Sequence, residues 1–187
     1  MAALFYWYGW VLFIIVSFFL PSSKFRTGLL WFTGACLIIY GINLEHIVYV
    51  CIFLVIFGYF FWLSNQKQMM EQLWPFLFSL PYSTVQLFLI VNPVWIQFPG
   101  RVFVFAWGIF FLYKFCHDWS TFIGLWVLMN GLGSVITSMV AKVYTFHFYI
   151  DDQQILIVVI QGVLVSVLIH GAHRLSQVVR RKGAAYI

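Results

Sequence analysis

Nine of the ten histidine and acid side chains, the residues here best suited to metal or proton chemistry, fall into two sets. His117-Asp118 follows one apolar run, and His170 and His173, one helical turn apart, close another. Imidazoles and a carboxylate at one level suit zinc or a similar ion, with three ligands leaving a fourth position open to water. The second set, Glu45-His46 with His147 and Asp151-Asp152, lies at the opposite ends of the apolar runs. Neither set has HExxH spacing, and boundary residues of these types ordinarily meet headgroups or cap helices. Metal binding is the alternative for each set; no cofactor is predicted. Gly131-Leu132-Gly133-Ser134, with His170 on the next helix, loosely imitates the nucleophile and base of an intramembrane serine protease. Val135 stands where a rhomboid-type motif has glycine, so no catalytic residue is assigned.

The five acids, Glu45, Glu71, Asp118, Asp151 and Asp152, all sit at segment ends or in loops. A proton relay across a bilayer needs carboxylates at depth, so this placement argues against one. The polar side chains within apolar segments are Gln86, Asn130 and Gln161, with several hydroxyls. Amides at such depths join helices by hydrogen bonds; lining a substrate path is their alternative use. Gly131, Ser134, Ser138 and Ala141 recur at spacings of three, four and three, and Gly162, Ser166 and His170 at spacings of four. Each series puts small residues on one helical face, and the two faces are expected to pack closely, on each other among the options.

Those residues must be positioned by apolar helices. Of 187 residues, 64% are hydrophobic and 8% charged. With a mean hydropathy of +0.97, too little polar surface remains to cover a water-soluble globule. Seven apolar segments are predicted: Ala3 to Leu20, Gly28 to Asn43, His46 to Leu63, Leu73 to Val91, Arg101 to Phe115, Ser120 to Ala141 and Ile155 to Gly171. A spanning helix uses about 20 residues, so seven of them leave only short loops and a tail. The expected organisation is an all-α polytopic transmembrane bundle over residues 1–173 and a basic cytosolic tail over 174–187. Pro75 and Pro81 predict a kink or break in the fourth segment, where a re-entrant turn is the alternative to a span. Cys36, Cys51 and Cys116 form no CxxC and predict no disulfide framework.

Cation placement sets the expected orientation. Lys24, Arg26, Lys67, Lys114, Arg174, Arg180, Arg181 and Lys182 fall on one side of a seven-span chain, and Arg101 and Lys142 on the other. The positive-inside rule then puts the N-terminus outside and the C-terminus inside. Arg174, Arg180, Arg181 and Lys182 read as a tail facing anionic lipid headgroups, not nucleic acid.

Phe5-Tyr6-Trp7-Tyr8-Gly9-Trp10, the apolar run to Phe18-Phe19-Leu20-Pro21, and Lys24-Phe25-Arg26 resemble the YphA-like small polytopic proteins of endospore-forming bacilli. That resemblance implies a bacterial cytoplasmic membrane protein made during sporulation and linked to building the spore envelope. The sequence as a whole predicts a non-enzymatic, multi-pass component of the cell membrane, held to a membrane-protein partner or to further copies of itself. A small carrier or permease subunit is the alternative, and a metal-dependent membrane enzyme the third reading.

Overall fold

The structure is a computed structural model that describes residues 2–42, 47–64, 71–92, 94, 100–116, 118–144 and 152–184. These form α1 (Ala2–Phe19), α2 (Lys24–Ile42), α3 (Ile47–Trp62), a short 3₁₀ turn (Glu71–Leu73), α4 (Trp74–Val91), α5 (Gly100–Phe115), α6 (Trp119–Val143) and α7 (Asp152–Ala184). The protein is an all-α bundle, with no strand among the described residues. Lys24–Ile42, Glu71–Val91, Trp119–Val143 and Gln153–Gln177 are long and apolar enough to cross a membrane. Ala3–Phe19, Ile47–Trp62 and Phe105–Phe115 are shorter apolar helices.

Local chemistry explains the boundaries that differ from the sequence expectation. α2 starts a turn earlier than Gly28 because Ser23 caps it, its Oγ accepting from the Arg26 N–H at 3.1 Å. The Arg26 guanidinium also donates to the Leu20 carbonyl at 3.3 Å, closing the turn after α1. Pro75 sits in the first turn of α4, where its missing N–H costs nothing. α4 continues through Pro81 as one helix, not as a broken pair. α7 runs past His173 to Ala184, so the basic segment from Arg174 to Lys182 lies on the end of the last helix.

α6 is the shaft of the bundle. Every residue from Thr121 to Gly131 is buried, and α3, α4, α5 and α7 pack around it. A helix apolar on all sides must be covered by lipid or by other helices, and here helices cover it. Lipid is as apolar as leucine, so close packing must supply the attraction between helices. Glycines supply it against α3. A Cβ on Gly124 would lie 2.5 Å from Trp62 N, one on Gly58 2.9 Å from Leu128 N, and one on Gly131 3.1 Å from Leu54 Cβ. As α6 numbers rise, their α3 partners fall, so the two helices are antiparallel.

The same reasoning gives every direction. Phe5 stacks on Tyr40 at 3.8 Å while Gly9 faces Leu37, which makes α1 and α2 antiparallel. Phe25 meets Phe61 at 5.4 Å and Phe32 meets Phe53 at 5.8 Å, which does the same for α2 and α3. Tyr82 reaches Asn130 and Ser83 reaches Thr137, so α4 runs parallel to α6. Phe105 packs on Trp126, two turns into α6, while α5 ends just before α6 begins, so these two are antiparallel. Trp126 fits against Gly162 and Trp119 against His170, so α6 and α7 are antiparallel too. Successive helices therefore alternate in direction. Lys24, Arg26, Lys114 and the extension of α7 consequently share one end of the bundle.

The two small-residue faces do not pack on each other. Gly131 turns to α3, and Gly162 opens a seat for the Trp126 indole, whose Nε1 donates to the Val159 carbonyl at 3.2 Å. The large ring rather than a second small face fills the space between α6 and α7.

Candidate functional site

The polar centre of the bundle is a hydrogen-bond chain between α4 and α6. Tyr82 follows Pro81 and lies one turn before Gln86, so both side chains project from one face of α4. Gln86 Nε2 donates to the Tyr82 hydroxyl at 2.8 Å, and that hydroxyl donates to Asn130 Oδ1 at 2.6 Å. Asn130 Nδ2 closes this arm on the Trp126 carbonyl at 2.8 Å. On the other arm, Thr137 Oγ1 lies 3.0 Å from Gln86 Oε1, 3.1 Å from Ser83 Oγ and 2.8 Å from the Gly133 carbonyl. Asn130 and Thr137 are fully buried, and Ser83 is nearly so.

This chain is built to hold helices together. Its members are neutral hydroxyls and amides, and each finds a partner within the two helices. An unpaired buried amide would cost several kcal/mol, which the pairing removes. Gly133 lets α4 approach: a Cβ there would meet the Tyr82 ring and lie 3.3 Å from the Ser79 carbonyl. The sequence singled out Gln86 and Asn130 but not Tyr82, Ser83 or Thr137, which join them. The available signal was the one-turn spacing of Tyr82 and Gln86.

Gln161, the third amide, is placed elsewhere. With Tyr8 of α1, Phe105 of α5, and Leu164 and Val165 of α7, it borders an outward-facing recess of about 250 Å³.

Of the first sequence-predicted ligand set, Asp118, His170 and His173 are among the described residues. His170 lies flat on Trp119, ring centroids 4.5 Å apart and planes 1° from parallel. His173 points away to Gln177, whose Nε2 lies 3.0 Å from its Nε2. Asp118 stands at the N-terminal boundary of α6 with an extended backbone. Among the described residues, no three His, Cys, Asp or Glu side chains come together as metal ligands. His117, Glu45, His46, His147 and Asp151 lie outside the described residues, as do the side chains of Asp152, Arg174, Arg180, Arg181 and Lys182.

The protease-like pair is separated. His170 lies at the level of Trp119, and Ser134 is fifteen residues further along α6, about 22 Å at helical rise. Ser134 is fully buried, and its carbonyl accepts from Ser138 Oγ at 2.8 Å. Ser166 likewise returns its hydroxyl to its own helix, at the Val163 carbonyl, 2.7 Å away. Hydroxyls bound to their own helix leave small faces free for packing.

The family model described as YphA-like integral membrane protein matches residues 2–184, nearly the whole chain. No curated protein and no solved structure matches it.

Proposed function

The chain belongs to the YphA-like integral membrane family, and on that premise we propose that it is a multi-pass, non-enzymatic assembly component of a bacterial cell membrane. The observation that carries this reading is the hydrogen-bond chain. A carrier would line its path with the mid-membrane amides, whereas two of the three, Gln86 and Asn130, are occupied with each other through Tyr82. Alternating helix directions support seven crossings, with the shorter helices carried by their longer neighbours. Lys24, Arg26, Lys114 and the basic end of α7 on one side support a cytosolic C-terminus. The resemblance to proteins of endospore formers supports a part for this assembly role in formation of the spore envelope.

The test is a C-terminal green fluorescent fusion in the native host, imaged through growth and sporulation beside a deletion strain. Such a fusion fluoresces when its tag is cytosolic. Bright signal at the forespore or mother-cell membrane, with an envelope defect on deletion, is the expected result. A dark fusion of normal abundance overturns the topology. Bright signal around all growing cells, with normal spores on deletion, overturns the assembly role and returns the carrier.

The end of α7 gives a second expectation. Arg180, Arg181 and Lys182 face anionic headgroups in this reading, each contributing about 1 kcal/mol. A peptide of residues 170–187 with these three neutralised should bind vesicles containing phosphatidylglycerol at least tenfold more weakly than the native peptide. Raising salt should narrow the gap. Equal binding by both peptides contradicts the assignment.

A further inference from the structure

Within the bundle, α7 leaves a narrow part of its surface open. Gln154, Ile157, Val158, Gln161 and Val165 are partly exposed, Leu168 continues the line at 52% exposure, and the residues between them are buried. Positions 154, 158, 161, 165 and 168 repeat at four, three, four and three, the spacing of a seam that packs along another helix.

Gln161 is the centre of that seam. Nine residues separate it from Asp152 and nine from His170, which stacks at the far end of the bundle. At ~1.5 Å per residue its amide is about 13 Å from either end, in the middle of the membrane's depth. It borders the recess between α1 and α5, and no described residue hydrogen-bonds it. Hydrocarbon offers such an amide nothing.

An amide both donates and accepts, so its simplest complement is another amide. A twofold axis along the bilayer normal brings equal levels of two α7 helices together. Gln161 Nε2 would then donate to Oε1 of the partner subunit's Gln161, and the reverse bond follows by symmetry. One amide in an otherwise apolar seam also fixes register, as a single polar seam residue does in coiled coils. We infer that the α7 face centred on Gln161 is the interface of a homodimer. The inference deepens the assembly reading, on which it rests, by naming a second copy as one partner.

Cysteine crosslinking of full-length protein in phosphatidylethanolamine–phosphatidylglycerol vesicles tests it, over a range of protein-to-lipid ratios. Cys116→Ser removes the one partly exposed native thiol, while Cys36 and Cys51 are buried. Val158→Cys and Val165→Cys should each give disulfide-linked dimers under mild oxidant. Ile56→Cys, on the outward side of α3 and 62% exposed, should not. Adding Gln161→Leu should raise the density needed for half-maximal crosslinking roughly five- to tenfold, the weight of two intramembrane hydrogen bonds. Gln161→Asn should recover part of it. Equal crosslinking at position 56, or seam crosslinks indifferent to Gln161→Leu, would overturn the inference. So would a monomer at every density, and that outcome leaves the assembly role standing, since the deletion phenotype tests it separately.

Discussion

Gly124→Ala should unfold the purified protein well below the wild-type temperature, while Gly34→Ala should leave it unchanged or raise it slightly. Both add one methyl group to a helix. At Gly34 nothing lies within 4 Å of the added carbon, so only the gain in helix propensity, up to about 1 kcal/mol, is felt. At Gly124 the new carbon would sit 2.5 Å from Trp62 N and 2.9 Å from Trp62 Cα. Those are backbone atoms of a packed helix, which no rotamer change can move. Separating α3 from α6 along their length should cost about 3 kcal/mol, near the top of the overpacking range. For a chain of this size that is a fall of roughly 6–12 °C. Gly162→Ala offers an internal comparison, because its obstacle is the Trp126 ring. Trp126→Leu should restore part of the stability lost at Gly162, whereas no side-chain change at Trp62 should rescue Gly124→Ala. Equal melting temperatures for Gly124→Ala and Gly34→Ala, followed by circular dichroism in detergent, would remove the glycine seam as the main contact of α3 with α6.

That contrast marks what could be read from sequence. Apolar runs and turn residues identify helices because a bilayer admits little else as spanning structure. All seven predicted segments contain a helix. Boundaries depend on single hydrogen bonds, such as Ser23 Oγ to the Arg26 N–H, which a hydropathy pattern does not register. Helix partners are harder still. Gly131 and Gly162 both announce a close approach, but not what approaches; one receives Leu54 and Val55, the other an indole. The candidate site shows the same division. Gln86 and Asn130 stand out as costly in lipid, yet the group that joins them is Tyr82, one aromatic among many in a chain that is 22% aromatic. His170 invited a ligand reading, and its stacking on Trp119, a contact set by the packing of α7 on α6, was not legible in the sequence.

The hydrogen-bond chain carries the second large expectation. α4 packs chiefly on α6, with the rings of Trp74 and Phe78 touching Phe115 of α5. It is also intrinsically weak, because Pro81 has no N–H to give the Leu77 carbonyl one turn earlier. Asn130→Leu would leave the Tyr82 hydroxyl without its acceptor and the Trp126 carbonyl without the amide. Tyr82→Phe would leave both amides half-paired. Each substitution should cost about 1–3 kcal/mol, because a stranded buried polar group loses more than the net value of its bond. Once either residue is gone, the other has little left to lose in this arm. The double variant should therefore be more stable than the sum of the two losses predicts, by about 0.6 kcal/mol or more. Thr137→Val, on the other arm, should also weaken the pair, and its loss should add to that of Tyr82→Phe less than fully because both act through Gln86. Hydrogen exchange resolves where the loss falls. Amides of α4 should exchange faster in Asn130→Leu while those of α3, held by glycine packing, keep their protection. Strict additivity of Tyr82→Phe and Asn130→Leu, with uniform exchange across α3 and α4, would mean that α4 is held by its apolar contacts alone.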